Sequence, residues 1–201
     1  MKEVYPFSAK PHCKQVNNLG KMKNLFKNFL NRTSGKEASF KANNETIKTV
    51  INEWFKNPKP TEHKYGHISK WDTSEVTNMR KLFYKKSSFN QAIGDWDVSK
   101  VISMEEMFGS ASSFNQDISS WDVSSVANMK AMFLKASKFN QAIENWDVSN
   151  VSDVMFMFYD ANAFNQNLSG WNVDNVAYCS NFCNKNPQWI LPKPIFANYT
   201  P

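Results

Sequence analysis

In the middle of the chain the apolar residues fall into two alternating rhythms. Val126, Met129, Met132 and Phe133 stand at offsets 0, 3, 6 and 7, which is one face of a short helix. Ser124, two residues before the valine, is placed to cap that helix, as are Ser74, Ser99 and Ser149, with Asp174 in the equivalent last position. Downstream, Phe139-Asn140-Gln141-Ala142-Ile143 and then Trp146-Asp147-Val148 alternate apolar with polar at period two. That alternation predicts short strand segments around a turn.

The whole block recurs every 25 residues. Trp71, Trp96, Trp121, Trp146 and Trp171 keep the spacing, as do Phe89, Phe114, Phe139 and Phe164, each followed by Asn-Gln. Val76, Val101, Val126, Val151 and Val176 keep it too, without one insertion or deletion. A constant period requires each unit to stack on its neighbours through the same positions. The expected fold is therefore an α/β repeat: an LRR-like solenoid of about five 25-residue coils, each a short helix plus a short strand segment, with non-repeat caps at both ends. The expected organisation is a basic arm with an amphipathic helix over 1–43, a lead-in helix and cap over 44–70, the solenoid over 71–185 and a tail over 186–201.

The repeat Met-x-x-Met-Phe-x-x-Ala-x-x-Phe-Asn-Gln-x-Ile-x-x-Trp-Asp-Val-Ser-x-Val, clearest over 104–126 and 129–151, resembles the BspA-like leucine-rich-repeat surface-protein family, also described as a mycoplasma-type domain of unknown function. The stretches 47–55 and 65–72 resemble that family's usual lead-in. The resemblance spans about 44–185 and implies a binding solenoid, often displayed at surfaces, with no catalytic site to transfer.

The constant columns read as scaffold. An asparagine at 90, 115, 140 and 165 can satisfy backbone groups of adjacent coils, and it is expected to point inward. The tryptophans are expected to pack between coils, with carbohydrate stacking as the minority reading. The aspartates at 72, 97, 122 and 147 pose a sharper question, because carboxylates spaced like neighbouring strands, about 4.8 Å apart, repel by on the order of 1 kcal/mol per pair even in water. Asp-x-Ser is a turn sequence, so nearby amides are the expected compensation rather than bound cations. Cys179 and Cys183 fall in the columns of Met79 and Phe83, which makes them core substitutions rather than a metal pair. No cofactor, metal or catalytic residue is assigned.

The variable columns are where function is expected. Arg80, Lys81 and Tyr84 give way to Glu105, Glu106 and Gly109, then to Lys130, Ala131 and Leu134, then to Met155, Phe156 and Tyr159. Leu134, Met155, Phe156 and Tyr159 form a candidate partner-binding patch. The competing reading is that the tail, through Trp189-Ile190-Leu191 or Ile195-Phe196, folds back over them as a terminal cap.

Composition alters this picture in one respect. The chain of 201 residues carries a formal charge of +6, which invites a nucleic-acid reading. Residues 1–43, however, hold nine of the 24 Lys/Arg and only Glu3 and Glu37, so the remainder is close to neutral. In that arm Leu19, Met22, Leu25, Phe26, Phe29 and Leu30 make a helical stripe, with Lys21, Lys23, Lys27 and Arg32 around it as candidate contacts to an anionic surface. A cap or inter-subunit contact is the favoured use of the stripe, and specific nucleic-acid recognition the least favoured. No apolar run approaches the roughly 18–20 residues of a membrane span, and no signal sequence is visible at the start. The compartment stays unassigned, with a cytoplasmic location and a place in a surface or particle assembly both open. The functional expectation is a non-enzymatic protein-binding or assembly module whose partner is another protein or further copies of itself. The alternatives are a carbohydrate-binding or hydrolytic protein using the Asp and Trp columns, and membrane-surface association through the basic arm.

Overall fold

A computed structural model describes residues 39–197. The chain divides into two units, 1–38 and 39–201, and the description concerns the second. It opens with a short strand β1 (Lys41–Asn43), helix α1 (Thr46–Lys56), helix α2 (Pro58–Tyr65), a 3₁₀ turn (Ile68–Lys70) and strand β2 (Asp72–Glu75), with β1 and β2 paired in parallel. Asn43 starts α1, since its carboxamide oxygen accepts the amides of Glu45 at 3.0 Å and Thr46 at 2.9 Å. Ile47, Val50 and Ile51, at i, i+3 and i+4, supply its buried face. Pro58 sits in the first turn of α2, where its missing N–H costs nothing, and Gly66 follows the helix at φ 77°, a conformation glycine adopts freely.

The units that follow contain neither the expected helix nor the expected strand segments: residues 124–133, read as a capped helix, form consecutive turns. Their backbone bonding explains why. The amides of Met104, Glu106 and Phe108 donate forward to the carbonyls of Asn128, Lys130 and Met132 in the next unit, at 2.8–2.9 Å. The intervening amides of Met107, Gly109 and Ala111 close turns onto Met104, Glu106 and Phe108. Half of the donors that a helix would spend on i−4 carbonyls thus bind the next unit instead. The same alternation runs from unit to unit, accompanied by parallel bridges linking Asn78, Ser103, Asn128, Asp153 and Tyr178. Two residues per unit take positive φ, such as Ala131 at 53° and Lys135 at 56°, which no right-handed helix permits.

Where strands were expected, side chains carry the bonds between units. Asn115, Asn140 and Asn165 each donate a backbone amide to the carboxamide oxygen of the asparagine one unit earlier, all at 2.9 Å. Gln141 and Gln166 brace the ladder through bonds to Asn115 and Asn140. The ladder faces outward, not inward: Asn90, Asn115 and Asn140 are exposed.

Inside, two files of phenylalanine run along the stack. Phe83, Phe108, Phe133 and Phe158 stack at 5.5–5.6 Å, and Phe89, Phe114, Phe139 and Phe164 at 5.7–5.9 Å. Within a unit the two files touch at about 3.8–4.1 Å. Such ring pairs add about 0.5–1.5 kcal/mol each beyond burial. The tryptophans of the 25-residue column are buried, and each indole N–H from Trp96 to Trp171 donates to a carbonyl of the unit before it: Ile68, Ile93, Ile118 and Ile143. That bond lets a large polar-edged ring sit in the core without an orphan donor.

Candidate partner-binding face

The turn segments expose one row of side chains per unit, and because the backbone repeats, these rows form a single face. At its start Arg80 and Lys81 are exposed and pair with Glu105 and Glu106 of the next unit, at 3.0 and 3.2 Å. Tyr84 lies between the ammonium groups of Lys81 and Lys85, 5.3 and 5.1 Å from its ring centre. Its ring rests on Gly109, where a Cβ would come within 2.9 Å of the tyrosine Cδ2. The paired charges of the first two units therefore tie neighbouring units together, each exposed pair adding roughly 0–1 kcal/mol.

Further along, Leu134, Met155, Phe156 and Tyr159 are all half-buried and lie on adjacent units. The rings of Phe156 and Tyr159 meet edge to face at 5.7 Å, and the Lys185 ammonium stands 5.5 Å from the Tyr159 ring centre. The hydrogen bond and charge of Tyr159 raise the Lys185 pKa. Two positions expected on this face are not available: Ala131 and Gly109 are buried.

The rings of the tail close the end of the stack. Trp189 packs on Phe158, Phe164 and Phe182 at 5.3, 4.8 and 5.8 Å, which closes the end of the phenylalanine files, and Phe196 meets Phe182 at 5.0 Å. The backbone around it continues the side-chain ladder, with the amides of Ile190 and Leu191 donating to Asn165 and that of Leu168 to the Pro192 carbonyl. Cys179 is buried in the core column, and burial raises its thiol pKa. Cys183 is half-buried, and Phe182 rather than residue 183 supplies the ring against Phe158, at 5.4 Å.

The aspartate column finds its compensation locally. Asp72, Asp97 and Asp122 each accept the N–H of the serine two residues on at 3.0–3.1 Å and its hydroxyl at 2.6 Å. Asp147 likewise accepts the Ser149 amide at 3.0 Å. The serines thus serve the aspartates and do not cap helices. These bonds hold Asp72 and Asp97 below the usual carboxylate range. Among the described residues no cluster of three or more His, Cys, Asp or Glu could hold a metal ion, and no helix is long and apolar enough to cross a membrane.

Lys21, Lys23, Lys27 and Arg32 lie outside the described residues. Two surface features were missed by sequence reasoning. Tyr178, Ile190, Leu191 and Ile195 are large apolar residues left exposed near the end of the stack. Tyr178 carried a signal, since its column is otherwise Asn78, Ser103, Asn128 and Asp153. The other is a groove between α1 and the first unit, lined by Lys48, Asn52, Arg80, Lys81, Leu82, Tyr84 and Lys86. Lys48 and Asn52, four apart on α1, could have marked its wall.

The family described as "Mycoplasma protein of unknown function, DUF285" matches residues 49–171 and, in a second overlapping match, 110–189. The chain belongs to that family, which is the one associated with BspA-like repeat proteins. No curated protein and no solved structure matches the chain.

Proposed function

We propose that the stacked units are an LRR-like solenoid of the BspA-like type, acting as a non-enzymatic protein-binding or assembly module whose contact face includes Leu134, Met155, Phe156 and Tyr159. One observation carries the reading. The buried columns hardly change from unit to unit, while the equivalent surface positions pass from paired charges to a cluster of half-exposed apolar side chains. Apolar side chains clustered on an otherwise polar surface are characteristic of contact sites.

The catalytic and carbohydrate alternatives receive less support. General acid and base work needs two carboxylates in different environments, whereas the aspartates share one Asp-x-Ser arrangement. A sugar-stacking platform needs exposed rings, and the tryptophan column from 71 to 171 is only 3–6% exposed. The test is quantitative affinity capture with the intact chain beside a Phe156→Asp/Tyr159→Asp variant. Any partner of this face should fall in recovery by about tenfold or more, as for loss of aromatic anchors. Unchanged recovery by a variant with an unchanged circular-dichroism spectrum eliminates the face as the contact site.

A further inference from the structure

The forward-donating backbone gives the stack a direction, and among the described residues its first unit is left with an acceptor edge. In each later unit the carbonyls at the positions of Asn78, Arg80, Leu82 and Tyr84 accept amides from the unit before, as Ser103, Glu105, Met107 and Gly109 do from Met79, Lys81, Phe83 and Lys85. The first unit has the same turns and the same positive φ at Lys81 and Lys85, so its carbonyls are directed backward in the same way. Before it stands α1, a helix whose interior amides are satisfied internally. Among the described residues no donor reaches the carbonyls of Arg80, Leu82 or Tyr84. Between that edge and α1 lies a groove of about 240 Å³. Its lining is cationic, with Lys48, Arg80, Lys81 and Lys86 and no carboxylate. Arg80 and Lys81 are engaged by Glu105 and Glu106, and Lys86 reaches Asn52 at 3.3 Å, while Lys48 is exposed on α1.

We propose that this groove binds an acidic peptide segment in extended or turn conformation, which donates backbone amides to the carbonyls of Arg80, Leu82 and Tyr84 and places carboxylates on Lys48 and Lys86. Two complementarities select this occupant. Open carbonyls call for N–H donors, and the ammonium groups of Lys48 and Lys86, which lack a carboxylate partner among the described residues even though Lys86 reaches Asn52 and the Phe55 ring, call for anions. A helical ligand lacks free amides except at its first turn. A nucleic acid would meet the cations but would set its phosphates against the carbonyl row, since its backbone carries no N–H to offer that row. The site is separate from the apolar patch, so either can fail alone.

The experiment is fluorescence anisotropy of the full chain with a labelled hexapeptide of alternating Glu and Val. It is run beside the Gln-for-Glu peptide, a version N-methylated at alternate amides, and an oligothymidylate competitor. Lys48→Glu, on the solvent side of α1, should weaken binding by about tenfold, as reversal of an interfacial charge does. N-methylation should weaken it comparably, and Phe156→Asp should leave it unchanged. A paired Lys23→Ala/Lys27→Ala variant with unchanged affinity separates the groove from general attraction to the basic arm. Absence of saturable binding up to about 1 mM, equal affinity for the N-methylated peptide, indifference to Lys48→Glu, or equal displacement by oligothymidylate would each overturn the proposal.

Discussion

The smallest recurring device is the pair formed by an aspartate and the serine two residues later. Asp97 accepts the Ser99 hydroxyl at 2.6 Å and its amide at 3.0 Å, with Lys100 close by and Asp72 opposing. The hydroxyl bond contributes most to holding the Asp97 carboxyl below its ordinary value, followed by the amide bond. A depressed folded-state pKa stabilises the fold above the unfolded value, about 3.9 for aspartate, and that contribution is lost as pH falls through the folded value. Replacing Ser99→Ala should therefore raise the titration midpoint of Asp97 toward that of a free aspartate and leave Asp72 little changed. Carboxyl-carbon NMR titration reads both, and an unmoved Asp97 would show that the hydroxyl is not the cause. This device was legible in the sequence as a repeated Asp-x-Ser turn. Its setting was misread, because the same serine placement also suits a helix cap.

At the scale of one unit, the helix expectation failed for a definite physical reason. Consecutive turns bury residues at nearly the same three- and four-residue spacing as a helical face, so Val126, Met129, Met132 and Phe133 fit both patterns. The discriminating signal lay in the variable columns. At the two positive-φ positions the units carry Lys81, Glu106, Ala131, Phe156 and Asn181, and Lys85, Ser110, Lys135, Asp160 and Lys185, with no β-branched residue among them. A β-branched side chain crowds its own backbone most severely in the left-handed region. Lys135→Val should thus cost about 1–2 kcal/mol in urea denaturation, the range for local backbone strain. Lys135→Gly should lie within about 1 kcal/mol of wild type, since relief of strain offsets the freedom gained by the unfolded chain. Equal effects of valine and glycine would contradict the left-handed assignment. The constant columns, by contrast, were readable from identity and spacing: the asparagine ladder and the tryptophan and phenylalanine files all join units one period apart, although the asparagines face outward rather than inward.

For the whole stack the governing fact is that each unit touches its neighbours and little else, so the ends decide where unfolding starts. At the start Trp54 and Phe55 approach Phe89 at 6.4 and 5.9 Å. At the finish Trp189 alone spans Phe158, Phe164 and Phe182, and its indole N–H reaches the Gln166 carbonyl at 2.9 Å. Beyond the last unit the forward ladder stops, and among the described residues the amides of Cys179, Asn181 and Cys183 have no acceptor. Trp189 is therefore the chief apolar closure of that end. Trp189→Ala should cost about 3–5 kcal/mol, as for truncation of a buried aromatic ring. The loss should be graded along the stack. In hydrogen exchange, the amides of Val154, Phe156, Phe158 and Asp160, which bond the last unit, should lose protection first. Those of Met104, Glu106 and Phe108, two units further in, should keep most of theirs. A uniform loss across all units would mean that the stack unfolds as one cooperative block, and nearest-neighbour coupling would then not describe it.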